Sequence, residues 1–205
     1  MTPIDSPTSG SSTGAAHRLD AAFLRSKFDL ALPYGRYLET DPSRAAAWRS
    51  FERHVSLSDG QRRLLAQFTR TMPVLVVSGI WCGDCVQQGP IIQRIAEAGP
   101  RIDLRWLDRD EHLDLAGQVR ICGGLRVPTA IFMSEDFEPV SVFGDRTLSR
   151  YRAMAQRTLG AACPVPNAPL AADEVAATTQ DWLDEFERVN WILRLSARLR
   201  EKHGD

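Results

Sequence analysis

The chain has 205 residues, a formal net charge of −1 and 43% hydrophobic residues. It is therefore long enough to bury a core without help from disulfides or metal ions, and its composition is that of an ordinary globular protein. The near-zero net charge gives no reason to expect nucleic acid or an anionic membrane surface as a partner.

The N-terminal segment, residues 1–18, is rich in Ser, Thr, Gly and Pro and has almost no large apolar side chains. We expect it to be a disordered tail, because it has little to bury. It lacks the basic and apolar regions of a signal peptide, and nowhere does the sequence approach the roughly 20 apolar residues of a membrane span. A cytoplasmic location is therefore expected, where thiols are kept mostly reduced.

Residues 19–72 show helical periodicity and are predicted to form a helical extension packed on the core. The pair Asp41-Pro42 marks the start of one helix, because proline is favoured at the first position of a helix. Ser58 or Asp59 is predicted to cap the next helix, since either side chain can accept hydrogen bonds from the first N–H groups.

Residues 73–162 alternate strands and helices and are predicted to form an α/β domain. Pro73 interrupts the helical pattern, and residues 74–78 form a short apolar run typical of a strand buried on both faces. The further predicted strands are 102–107, 129–133 and 140–143, and the predicted helices are 85–98, 110–119 and 147–159, the last capped by Thr147. The first two strands form a βαβ unit and the last two an antiparallel hairpin, so we predict one mixed sheet with helices on both faces.

The C-terminal part, residues 163–205, begins with a loop and ends with a helix in this interpretation. Three prolines between Cys163 and Pro169 exclude regular structure there. Apolar residues then recur with helical period and predict one long helix over 178–202. Such a helix is comparable in length to the width of a small domain, so we expect it to pack across the domain or against a partner.

Two cysteines follow the first predicted strand, in the segment Trp81-Cys82-Gly83-Asp84-Cys85. Cys82 precedes the predicted helix, where unpaired N–H groups and the helix dipole stabilise a thiolate. Cys85 lies one turn further on, where its sulfur can reach the first. This arrangement suits attack on a disulfide followed by resolution of the mixed disulfide.

Other interpretations of the cysteine pair stay open from spacing alone. A structural zinc site needs two further ligands, but Cys122 and Cys163 stand alone and the four histidines show no ligand spacing. A metal or iron–sulfur site shared by two copies of the chain, and an inert pair, are the alternatives to redox chemistry. We favour redox chemistry and predict no metal site. Cys122 is interpreted either as a third thiol near the pair or as a small buried side chain.

The segment 81–85 resembles the Trp-Cys-Gly-Pro-Cys active site of thioredoxins, which also follows a buried strand and opens a helix. Pro90 is similar in position to the proline that kinks this helix in the family, and Val127-Pro128-Thr129 resembles the family's cis-proline loop. Phe143-Gly144 falls where the last strand reaches its glycine. The resemblance covers about residues 60–160 and implies a thioredoxin fold, here with extra N-terminal helices and a long C-terminal helix.

The resemblance implies a thiol-disulfide oxidoreductase without a bound cofactor. In that role Cys82 attacks the substrate disulfide and Cys85 resolves the mixed disulfide. The implied partners are protein disulfides and a reductase, with no nucleic acid and no membrane, and a homodimer through the added helices stays open. The substrate-binding residues that the resemblance implies are Trp81, Gly83, Asp84, Val127, Pro128 and Thr129.

Two positions depart from the pattern of the family. Asp84 replaces the proline between the cysteines. It suits the first turn of a helix but opposes a nearby thiolate, so the sign of the net pKa shift of Cys82 stays open. Val76 stands where many thioredoxins carry a buried aspartate that is linked to proton transfer from the resolving cysteine. A second hypothesis is therefore a thioredoxin-fold binding module that acts mainly through its added helices.

Overall fold

The computed structural model describes residues 19–159 and 173–204. The predicted tail of residues 1–18 and the predicted loop with Cys163 lie outside the described residues. In the part of the chain that is described, no helix is long and apolar enough to cross a membrane.

The described strands form one mixed sheet in the order β2-β1-β3-β4. β1 (Met72–Ser78) runs parallel to β2 (Ile102–Asp108) and antiparallel to β3 (Thr129–Met133), and β4 (Pro139–Gly144) is antiparallel to β3. All residues of β1 are buried, because strands flank it on both sides and helices cover the sheet. The predicted mixed sheet of the α/β class is therefore confirmed.

Helices precede, interrupt and follow the sheet. They are α1 (Ala21–Leu30), α2 (Tyr34–Glu39), α3 (Pro42–Glu52), α4 (Asp59–Ala66), α5 (Gly83–Ala98), α6 (Leu113–Ala116), α7 (Leu148–Leu159), α8 (Glu174–Leu195) and α9 (Ala197–His203). Asp41 caps α3 by accepting from the first N–H groups, with proline at the first position. Ser58 caps α4 in a reciprocal capping box with Gln61.

The helices ahead of β1 are part of the main core. The Trp48 ring of α3 is fully buried, and its indole N–H donates to the Ile80 carbonyl at 3.0 Å. A methyl group at Gly89 of α5 would come within 2.1 Å of this ring, so the two helices approach each other closely only because residue 89 is glycine. Tyr37 of α2 stacks on Trp106 of β2, with ring centroids 5.7 Å apart.

Helix α8 covers the same face of the sheet as α2 and α3, but over β3 and β4. Trp182 and Phe186 pack edge-on against Phe143 and Phe132, at centroid distances of 4.9 and 5.0 Å. The Trp182 indole N–H also donates to the buried Gln88 side chain of α5 at 3.0 Å. The C-terminal helix is therefore joined to the helix that follows the two cysteines. On the opposite face of the sheet lies α1, whose Phe28 ring has the Arg105 guanidinium 5.7 Å away.

The prediction of one helix over 178–202 is wrong in its extent. The chain instead forms α8 from residue 174 and α9, and it breaks at Ser196, whose backbone is extended (ψ 114°). The Ser196 side chain accepts from the Leu199 N–H and so caps α9. Apolar residues keep their helical spacing across the break, because α8 and α9 bury the same side. The apolar pattern therefore gives no sign of the break at Ser196.

Two smaller predictions also fail. The helix expected over 110–119 is reduced to α6, because the Asp108 carboxylate accepts from the Asp110 N–H and holds a turn at its beginning. Thr147 does not cap α7, since its buried hydroxyl has no hydrogen-bond partner in the described part of the chain. The Asp181 carboxylate of α8 accepts from the Ser149 N–H instead, at 2.8 Å.

Candidate active site

Cys82 and Cys85 lie at the N-terminus of α5, directly after β1. Cys82 is the residue before the first helical position, with extended backbone, and is half-buried. Cys85 is completely buried against the sheet. Both are free thiols. The chain thus leaves β1 at the edge of the sheet, and the first turn of α5 places the Cys85 sulfur inward, beside the Cys82 sulfur.

The two thiols differ sharply in acidity. A hydrogen bond from the Cys85 thiol is the main cause that lowers the pKa of Cys82, from 9.0 to about 6. Burial opposes this shift, the N–H groups of Cys85 and Asp84 add to it, and the charge of Asp84 opposes it. Burial raises the pKa of Cys85 well above 9.0, and the thiolate beside it raises it further. At neutral pH Cys82 is therefore the thiolate and Cys85 the thiol.

Two arginines that the sequence reasoning missed neutralise Asp84. Arg146, in the turn before α7, donates from Nε to the Asp84 carboxylate at 3.0 Å, and Arg150 of α7 donates to it at 2.9 Å. These residues are 62 and 66 positions from Asp84 in the chain. The sign of the Cys82 shift, which the sequence left open, is downward: the pKa of Cys82 falls despite the nearby acid.

The loop before β3 closes the other side of the site. The peptide bond between Val127 and Pro128 is cis, and the Val127 carbonyl oxygen lies 3.8 Å from the Cys82 sulfur. Gly144 packs directly on this loop, since a methyl group there would lie 2.5 Å from the Pro128 carbonyl oxygen. Thr129 is fully buried and its hydroxyl donates to the Arg126 carbonyl at 2.9 Å. The Thr129 side chain therefore holds the loop and, contrary to expectation, is not open to a substrate.

Trp81 is the exposed large side chain of the site, with 40% of its surface accessible. Its ring lies over Gly79, where a methyl group would come within 2.7 Å of it, and the Arg109 guanidinium is 4.5 Å from the ring centroid. Gly83 has open space where a side chain would stand. Trp81 and Gly83 thus leave one side of the Cys82 sulfur approachable.

A cleft of about 560 Å³ extends from Trp81 along the ends of β1 and β2. Its lining includes Tyr37, Trp106, Asp41, Asp108 and Glu111. No local sequence pattern indicates this cleft, because its walls come from segments up to 82 residues apart, from Leu30 to His112.

Cys122, the remaining described cysteine, lies far from the pair in the sequence, and its exposure differs from expectation. Cys122 is exposed and has φ 50° in the turn 121–124, so the interpretation as a small buried side chain is wrong. Within the described ranges, no group of three or more His, Cys, Asp or Glu side chains could hold a metal ion.

Comparison with known proteins shows the family of this chain. A family model described as Thioredoxin matches residues 32–157. The match begins before α2, so it includes three of the helices that precede the sheet. No curated protein sequence matches the chain.

Two solved structures share the fold of this chain. A protein of unknown function from Pseudomonas aeruginosa has a TM-score of 0.63 at 16% identity, over 84% of this chain and 97% of that one. An HIV epitope scaffold has a TM-score of 0.57 at 16% identity, over 82% and 95% of the two chains. Mitochondrial thioredoxin 3 from Saccharomyces cerevisiae covers 40% of this chain and 73% of its own, at 23% identity and a TM-score of 0.31.

Proposed function

Because the chain belongs to the thioredoxin family, we propose that it is a thiol-disulfide oxidoreductase that works through Cys82 and Cys85. The observation that carries the proposal is the contrast between the two thiols. Cys82 is half-buried with a pKa of about 6, whereas Cys85 is buried with its pKa raised. A nucleophile that is ionised and reachable, beside a protected second thiol, is what disulfide exchange requires.

The proposed reaction has two steps. The Cys82 thiolate attacks one sulfur of a substrate disulfide, the substrate S–S bond breaks, and one substrate thiolate leaves. Cys85 then loses its proton and attacks the Cys82 sulfur of the mixed disulfide, which releases the second substrate thiolate. Two electrons pass from the cysteine pair to the substrate, and a dithiol reductase has to reduce the resulting Cys82–Cys85 disulfide.

We infer that the substrate is a protein disulfide and that it docks between Trp81 and the cis-proline loop. The Val127 carbonyl lies at the Cys82 sulfur, and Gly83 leaves space beside it. An extended substrate segment would add backbone hydrogen bonds along this loop. Thr129 and Asp84 act indirectly in this scheme, the first by holding the loop and the second by binding Arg146 and Arg150.

The test is reduction of insulin disulfides with dithiothreitol as the donor. Cys82→Ser should lower turnover at least 100-fold, because no nucleophile remains. Cys85→Ser should accumulate a mixed disulfide between Cys82 and the substrate, seen by mass spectrometry under non-reducing conditions. Cys122→Ser, which removes an exposed thiol that the proposed reaction does not use, should keep wild-type turnover. Normal turnover by the Cys82→Ser protein would falsify the proposal.

A second candidate is a binding module of the same fold that acts through its C-terminal helix. Trp191, Ile192 and Leu195 of α8 are exposed, by 47%, 40% and 70%, and form an apolar patch outside the thiol site. The same experiment separates the two candidates. If the wild-type protein reacts with disulfides no faster than free cysteine does, this second candidate takes precedence.

A further inference from the structure

Cys85 has to lose a proton from a place that water does not reach. Its side chain is completely buried, and the resolving step of the proposed function, on which this inference rests, needs its thiolate. Val76 of β1, also completely buried, offers no group that could accept the proton. The proton therefore needs another acceptor within reach of the Cys85 sulfur.

A buried hydroxyl stands beside that sulfur. Ser78 is the last residue of β1 and is fully buried, and its hydroxyl is close enough to Cys85 to lower the pKa of this thiol against the larger effect of burial. The Ser78 hydroxyl makes no hydrogen bond of normal geometry in the described part of the chain. A buried hydroxyl without a fixed partner is rare in folded proteins and is free to exchange partners.

A second buried hydroxyl continues from the first. Tyr37 of α2 is only 1% exposed, its hydroxyl also has no partner of normal geometry in the described ranges, and it lies beside Ser78. Burial raises the pKa of Tyr37 above its ordinary value of 10.0. The group therefore stays a neutral hydroxyl, which can accept one proton while it donates another.

The path ends at the cleft beside Trp81. Tyr37 and Asp108 both line this cleft, whose lining also includes the exposed Asp110 and Glu111, so water can reach it. Ser78 is the register partner of Asp108 in the parallel pairing of β1 and β2. Parallel partners project from the same side of a sheet, which places the Asp108 carboxylate on the side of Ser78 and Tyr37.

We propose that Ser78 and Tyr37 carry the proton of Cys85 to the cleft beside Asp108 during resolution. The Ser78 oxygen takes the proton of Cys85 as Ser78 gives its own proton to the Tyr37 oxygen. Tyr37 in turn gives its proton to water beside the Asp108 carboxylate. Meanwhile the Cys85 sulfur bonds to the Cys82 sulfur and the substrate thiolate leaves, so charge and atoms balance. When the disulfide is reduced again, the proton returns to Cys85 by the same route.

The chain offers a matched control in Tyr34. Its hydroxyl is also buried without a partner in the described residues, and its ring lies 5.5 Å from Trp106 in the same aromatic cluster. However, the acidic groups that act on Tyr34 are Glu52 and Glu97, not the thiols. Tyr34→Phe therefore makes the same chemical change as Tyr37→Phe at a hydroxyl that is off the path.

The experiment follows the two steps separately in a Cys122→Ser, Cys163→Ser background. One equivalent of the disulfide of thionitrobenzoate, whose released thiolate is coloured, is mixed with the reduced protein in a stopped-flow instrument. The first release of colour reports attack by Cys82, and the second reports resolution by Cys85. Tyr37→Phe and Ser78→Ala are compared with wild type and with Tyr34→Phe across a range of pH, and circular dichroism checks the fold of each.

Tyr37→Phe and Ser78→Ala should leave the first release unchanged and slow the second on the order of 100-fold, the usual contribution of a positioned proton acceptor. The second release should then rise with pH in these variants, because hydroxide has to remove the proton. Tyr34→Phe should resolve at the wild-type rate. An unchanged second release in both path variants would overturn the relay. Equal slowing of both releases would also overturn it, since the hydroxyls would then be structural. If wild type shows no first release at all, the proposed function fails and the relay with it.

Discussion

At the scale of single residues, the acidity of Cys82 results from donors that surround its sulfur. The Cys85 thiol and the N–H groups of Cys85 and Asp84 lower the pKa of Cys82, and together they outweigh both burial and the negative charge of Asp84. That charge is itself shared with Arg146 and Arg150, whose side chains are only 20% and 12% exposed. A paired acid raises the pKa of a neighbouring thiol less than an unpaired one, because the arginine charges act in the opposite direction.

Arg146→Gln should raise the pKa of Cys82. Alkylation of Cys82 by iodoacetamide requires the thiolate, so its rate in wild type should rise with pH and level off above about 6. In the variant Asp84 is compensated less, the curve should move to higher pH, and the rate at pH 6 should fall on the order of two- to fivefold.

Arg157→Gln is the control for this measurement, because Arg157 is 61% exposed and pairs with Glu174 and not with Asp84. Mass spectrometry of the alkylated peptide assigns the modification to Cys82. A wild-type curve that levels off only near pH 9, the ordinary value for a thiol, would contradict the acidity assigned to Cys82.

At the scale of elements, α5 connects the parts of the molecule that form the site. Gln88, one turn after the cysteines, is completely buried. Its amide N–H donates to the Asp145 carbonyl at 2.8 Å, and its carbonyl oxygen accepts from the Trp182 indole at 3.0 Å. One side chain of α5 thus holds both the β4–α7 turn, which carries Arg146, and helix α8.

Gln88→Leu should lower the free energy of unfolding by about 3 kcal/mol, because it leaves two buried polar groups, the Asp145 carbonyl and the Trp182 N–H, without partners. Urea unfolding followed by circular dichroism measures this loss. Gln87→Leu makes the same change at the exposed neighbouring position and should alter stability by less than about 0.5 kcal/mol. Equal stability of the two variants would show that the buried bonds of Gln88 do not join these elements.

At the scale of the whole molecule, the helices outside the central sheet domain belong to its core. Trp48 of α3 fills the space above Gly89 and donates to the Ile80 carbonyl, one residue before Trp81. Trp182 of α8 makes the corresponding bond to Gln88 on the same helix α5. The segments that precede and follow the sheet in the chain are thus each anchored by a buried tryptophan to the region of the thiols, and we propose that they unfold together with it.

Trp48→Ala should lower the free energy of unfolding by about 4 kcal/mol, through the cavity it leaves and the unpaired Ile80 carbonyl. The unfolding curve should keep a single transition. Trp191→Ala, at a position that is 47% exposed, removes the same ring and should cost less than about 1 kcal/mol. A separate early transition in the Trp48→Ala protein would mean that the N-terminal helices form an independent unit.

The sequence by itself predicted what depends on neighbours along the chain. The strand 74–78, the cysteine pair at the start of α5, the helix start at Asp41-Pro42 and the hairpin of β3 and β4 each follow from a few consecutive residues, because periodicity and helix-start signals are local effects. The continuous apolar spacing predicted one helix across Ser196, but the chain breaks there and Ser196 caps α9, while the buried side stays the same.

Only the tertiary structure decided which distant groups meet the thiols. Asp84 finds Arg146 and Arg150 across more than 60 residues, and Ser78 meets Tyr37 from a helix that precedes the sheet. Such contacts follow from how helices pack on the sheet, and no local pattern records them. The acidity of Cys82 and the route proposed for the proton of Cys85 depend on these contacts, because electrostatic and proton-transfer effects act over a few ångströms of space, whatever the separation along the chain.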